Sequence, residues 1–202
     1  NEGGGGRVTD LVSGISSPIT LNATEANRAK WKGSPDGIPC LDMGSSGNYA
    51  NCTGLRRVTY SQGISFLGLF RYPTGAGTNS NRCLVMTRTD GLNGLMWNFG
   101  SSQVTISTKG WVGWNISTGL VPVRDRLTAV AGSQGPNGDV RIWLNGQRYS
   151  LTATAWSTPT INQWYLGVDS FDVNRQWQGQ VYMTAVLHGV LSWGEMEAWA
   201  GA

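Results

Sequence analysis

Hydrophobic and polar positions alternate in short runs along most of this chain, and glycine-rich turns separate the runs. Val140, Ile142 and Leu144 alternate with Arg141, Trp143 and Asn145, a period of two that marks a strand with one buried face. Asn145-Gly146 then fits a tight hairpin turn, because both residues accept positive φ. Gln147 to Ser150 returns along the partner strand. Residues 64–71 are more uniformly apolar and predict a central strand. Further strands are expected over 82–88, 95–97, 104–107, 126–131, 164–168 and 181–188, with turns at Asp90-Gly91 and over 99–102. Ile19 and Leu21 mark a short strand. Ile38, Leu41 and Met43 anchor an edge strand within a polar stretch, and residues 24–30 suit a single helical turn. Ser192 followed by Glu195 matches a capping box, so a helix of two turns at most should close the pattern, with Met196 and Trp199 on its apolar face.

Many short strands and one short helix predict an all-β fold, a two-sheet antiparallel sandwich. Residues 1–7 read as a flexible glycine-rich tail or linker, and 8–202 as a single domain. Composition agrees. Glycine numbers 29 of 202 residues, only 13% are charged, and there are 10 Trp. Disordered chains are charged and aromatic-poor, so disorder is excluded. The net charge of +3 is dispersed, and Arg56-Arg57 is the densest basic run. Nucleic acid is therefore not an expected partner. No apolar run reaches the roughly 18 residues of a membrane span, so membrane insertion is not expected either. Cys40, Cys52 and Cys83 contain no CxxC spacing, which argues against zinc. They read as three buried thiols, with a Cys40–Cys52 disulfide as the alternative. Sequons at Asn22, Asn51 and Asn115 are no more than this composition produces by chance.

The C-terminal half carries a resemblance. Leu127-Thr-Ala-Val-Ala131, Gly138-Asp-Val-Arg-Ile-Trp-Leu-Asn-Gly146, Trp164-Tyr-Leu-Gly167 and the closing Leu191-Ser192 with Glu195 resemble the concanavalin A-like lectin/glucanase superfamily, in its laminin-G-like form. Asp10 to Gly14, Ile38 to Asn48 and Phe66 to Arg71 match more loosely. The resemblance implies a concanavalin A-like jelly-roll sandwich over nearly all of residues 8–200. The low-charge, Gly/Ser/Thr/Asn-rich style is similar to bacteriophage structural and adhesion proteins. Fold alone does not give function, because this one serves lectins, hydrolases, adhesins and virion proteins.

Glucanases of that superfamily carry ExDxxE on one strand, which places two carboxylates on one sheet face. Here the glutamates are Glu2, Glu25, Glu195 and Glu197, and none has that spacing. The single histidine, His188, closes a strand without a nucleophile motif beside it. No catalytic residues are assigned, and the chain is not expected to be an enzyme. Asp90, Asp139, Asp169, Asp172 and Asn174 are loop oxygens of the kind that hold calcium, densest at Asp169 and Asp172. The competing reading is Asx turns. Calcium is the one cofactor considered.

Tryptophan is the strongest recognition signal, because its flat apolar face suits a sugar ring or a protein partner. Trp177 with Asn174, Arg175 and Gln176 forms one candidate ligand-binding loop. Trp143 with Arg141 forms a second on a sheet face, with Trp143 turned away from the Val140/Ile142/Leu144 side. Trp97, Trp164, Trp193 and Trp199 read as core or helix-packing residues. Two functions follow. The first is a non-catalytic recognition or adhesion module for a glycan or cell-surface polysaccharide. The second is a virion structural protein, a capsid decoration or fibre component, in contact with capsid or other virion proteins. Homo-oligomers fit either, and the location is extracellular or the virion surface.

Overall fold

The computed structural model describes residues 7–8, 19–21, 30–43, 50–59, 62–74, 82–89, 92–99, 104–107, 115–152, 160–166 and 177–201. The strands in chain order are β1 (Arg7–Val8), β2 (Ile19–Leu21), β3 (Lys30–Gly33), β4 (Pro39–Asp42), β5 (Ala50–Thr59) and β6 (Ile64–Arg71). Next come β7 (Arg82–Thr89), β8 (Leu92–Phe99), β9 (Val104–Ser107), β10 (Asn115–Ser117) and β11 (Leu127–Gln134). The last are β12 (Asp139–Leu144), β13 (Gln147–Thr152), β14 (Thr160–Leu166) and β15 (Gln180–His188), followed by α1 (Trp193–Ala200).

Two antiparallel sheets result. An eight-stranded sheet runs β1-β2-β5-β14-β7-β8-β9-β10, and a seven-stranded sheet runs β13-β12-β11-β6-β15-β4-β3. The all-β, two-sheet expectation with a short terminal helix is met. One placement differs. The strand containing Leu41 lies one position in from the edge, and β3 is the edge itself. Cys40, Leu41 and Met43 are buried, but Ile38 is exposed, because it sits in the β3–β4 turn rather than in a strand. Lys30 and Lys32 on β3 discourage a further strand from adding there. Cys40 is a buried free thiol, so it forms no disulfide with Cys52.

The uniform apolarity of β6 has a two-sided cause. Ile64, Phe66 and Phe70 point into the sandwich and are 0–1% exposed. Ser65 and Leu67 point to the outer face, where the segment leading into α1 meets Ser65 and α1 covers Leu67. A strand buried on both faces loses the alternation that a half-exposed strand shows. The register aligns Ala185, Leu67, Ala131 and Trp143 in one row across β15, β6, β11 and β12. Met196 of α1 packs onto that row, with Leu191, Trp193 and Trp199 around it.

The helix begins as the sequence predicts. The Glu195 N–H donates to Ser192 Oγ at 3.2 Å, and the Ser192 N–H donates to Glu195 Oε2 at 2.7 Å. The Asn145-Gly146 turn has φ of 45° and 87° at its two residues. Asn145 Oδ1 also accepts the Ala129 N–H at 3.0 Å, tying the hairpin to β11.

Candidate functional site

The outer face of the β12–β13 hairpin carries three rows of side chains. Asp139 pairs with Thr152, Arg141 with Ser150, and Trp143 with Arg148. These are the odd residues of β12, opposite the buried Val140, Ile142 and Leu144. The N-terminal end of α1 lies over the same face. Arg148 donates to Glu197 Oε1 from Nε at 2.9 Å and also from Nη2, and its guanidinium lies 5.4 Å from the centroid of the Trp193 ring. Trp193 is thereby fixed beside Ser150 and Arg141.

A recess of about 410 Å³ opens there, lined by Asp139, Arg141, Ser150, Thr152 and Trp193, with Val140 and Leu151 contributing from the strands. Its polar groups are held in place. Thr152 Oγ1 donates to Asp139 Oδ1 at 3.1 Å, and Asn137 Nδ2 donates to Asp139 Oδ2 at 2.8 Å. Arg141 Nη1 reaches the Leu191 carbonyl at 3.5 Å. At the helix start, the Ser192 N–H and hydroxyl hold the Glu195 carboxyl below the usual carboxylate range. Hydrogen-bond donors, acceptors and one indole thus meet at one shallow, open and mainly polar concavity.

The sequence candidates fall unevenly around this site. Arg141 lines it. Trp143 does leave the sandwich face, but α1 roofs it and it is 8% exposed, so it is a packing residue and not a ligand platform. Trp177 is corrected more sharply. It is 0% exposed, with its ring centroid 5.1 Å from those of Phe70 and Tyr72. Polar neighbours in sequence suggested a surface loop, yet an aromatic this large fills the interior beside two others. Asn174, Arg175, Asp169 and Asp172 lie outside the described residues. Among the described residues, no three His, Cys, Asp or Glu side chains come together as a metal site would require.

Sequence reading missed Trp193 as a site residue, because its place in a capped helix pointed only to packing. Nothing in the pattern singled out Ser150 or Thr152. Their strand positions opposite Arg141 and Asp139 would have done so, once the hairpin register was drawn.

A second polar group occupies the other end of the outer face. Tyr182 donates to Asp36 Oδ2 at 2.6 Å, and Arg71 Nη1 donates to the same carboxylate at 3.1–3.2 Å. The Tyr182 hydrogen bond and the Arg71 guanidinium hold Asp36 below the usual carboxylate range. This network satisfies itself and ties the β3–β4 turn to the sheet.

The fold is a two-sheet antiparallel β-sandwich. No family model matches the chain, and no curated protein does. Solved structures do. Domain 4 of an extracellular GH43 arabinanase from Geobacillus stearothermophilus, in complex with arabinotriose, is similar with a TM-score of 0.68 at 14% identity. The match covers 91% of this chain and 88% of that one. A heptameric SAP-like pentraxin from Limulus polyphemus matches with a TM-score of 0.60 at 8% identity, over 75% of each chain. Trypanosoma rangeli sialidase, in complex with the inhibitor DANA, matches with a TM-score of 0.61 at 11% identity. There the match covers 84% of this chain but spans 28% of the sialidase. At such identities the likeness is one of fold.

Proposed function

We propose that this chain is a non-catalytic recognition module that binds carbohydrate outside the cell. The observation that carries the reading is the recess beside Trp193, where Arg141, Asp139, Ser150 and Thr152 converge. An apolar wall with a few fixed polar groups suits a sugar, whose rings present C–H faces and hydroxyl rims. The arabinotriose-bound neighbour supports it, since its fold is similar over nearly the whole of both chains. The closing Leu191-Ser192 and Glu195 segment supports a laminin-G-like form of the sandwich. Among the described residues that line the recess, Asp139 is the one carboxylate, whereas glycoside hydrolysis uses a pair, which favours binding over turnover.

A glycan array on the whole chain, followed by titration calorimetry of the best ligand, tests this. Binding to one sugar class is expected, and Ser150→Trp should abolish it by filling the recess while the protein stays folded. A folded protein that binds no sugar overturns the reading.

A second reading, a subunit in an assembled particle such as a virion, is supported by exposed Val121 and Val123, which are 55% and 49% accessible. Light scattering decides it. A stable oligomer that Val121→Asp with Val123→Asp dissociates would favour this reading over the first.

A further inference from the structure

Resting on the carbohydrate reading, we propose that the recess selects uncharged sugars bearing adjacent hydroxyls and rejects acidic sugars. The inventory of donors and acceptors carries the argument. Arg141 has five N–H donors, and one of them is directed at the Leu191 carbonyl. Thr152 donates its proton to Asp139, which leaves its oxygen as an acceptor. Each oxygen of Asp139 accepts one hydrogen bond from the protein and keeps a further lone pair. Ser150 offers both a donor and an acceptor.

The recess therefore presents donors and acceptors side by side. A sugar hydroxyl is itself both, so two adjacent hydroxyls can bridge Arg141 and Asp139. A carboxylate only accepts. It would satisfy Arg141 but leave Asp139 facing a like charge.

Local charge decides which effect wins. Arg141 and Asp139 cancel. Arg148 is spent on Glu197. The positive end of α1 is already occupied by the Glu195 carboxylate. Among the described residues at the recess no net positive charge remains to draw an anion, whereas a sugar carboxylate set beside Asp139 meets a like charge and is repelled.

The test is calorimetry on the whole chain, using uronic acid oligosaccharides paired with their carboxyl-reduced counterparts. Each pair shares linkage and ring stereochemistry and differs only in charge. In any pair that binds, the reduced sugar should bind at least about tenfold more tightly at low salt. Asp139→Asn, which keeps the acceptor for Thr152 and gives up the one for Asn137, should shrink that ratio toward one while the protein stays folded. Equal or tighter binding of the acidic member overturns the selectivity and leaves carbohydrate binding standing. Silence across all pairs and across the array, with the protein folded, overturns both.

Discussion

Ser65 and Ser133 face each other across β6 and β11 with their hydroxyl oxygens 2.6 Å apart, fully buried. Ser65 donates to the Gly189 carbonyl at 2.7 Å, so the proton between the two serines comes from Ser133. The Leu191 N–H donates to both oxygens, at 3.1 Å and 2.9 Å. This pair pins the segment that delivers α1, and with it Trp193, onto the sheet.

The two serines should not be equivalent. Ser65→Ala strands the Gly189 carbonyl and the Ser133 proton, so it should cost about 1–3 kcal/mol. Ser133→Ala leaves Leu191 and Gly189 with Ser65, and should cost about 0.5–1.5 kcal/mol. Urea unfolding of both variants checks the order. A larger loss for Ser133→Ala would refute this proton assignment.

The capping box makes stability respond to acid. Hydrogen bonds from Ser192, first its backbone N–H and then its hydroxyl, lower the Glu195 pKa in the folded state. A lowered native value means the stabilisation is complete above the ordinary glutamate range. It disappears as pH falls through the native value. Wild type should therefore lose stability at acid pH more steeply than Glu195→Gln, measured by denaturation midpoints across a pH series. Ser192→Ala should cost about 1 kcal/mol at neutral pH. Parallel pH profiles for wild type and Glu195→Gln would remove the carboxylate from this role.

Trp177 should behave as core. Trp177→Ala leaves a cavity beside Phe70 and Tyr72 and should cost about 3–5 kcal/mol, with a much lower melting temperature. Trp177→Phe should recover part of that loss. A Trp177→Ala protein that melts like wild type would return Trp177 to the surface and reopen its loop as a binding site.

Much of the architecture was legible from local pattern. The alternation around Val140, the Asn145-Gly146 turn and the Ser192/Glu195 box each depend on near neighbours in sequence, and each appears where expected. β5, spanning Ala50–Thr59, was not legible, because Gly54 and the adjacent Arg56 and Arg57 break the short alternation that Ala50 to Thr53 begins. β3 was hidden by its brevity and its lysines. The site was legible only in part. Alternation placed Arg141 on the outer face, but no local rule says that a helix some fifty residues later will cover Trp143 and leave Arg141 beside an opening. The burial of Trp177 is likewise a long-range fact, set by Phe70 and Tyr72 more than a hundred positions earlier.

The place of β6 in its sheet carries a consequence for biosynthesis. It lies between β11 and β15, so one of its flanks stays unpaired until residues 180–188 have been made. Its outer row at Leu67, Ala131 and Trp143 stays bare until α1 follows. A nascent chain thus presents a sticky half-sheet until β15 and α1 have been made, and pairing across so long a loop is slow. Arrival of β15 and α1, and not the early emergence of any one hairpin, is the step at which this sandwich becomes safe from aggregation.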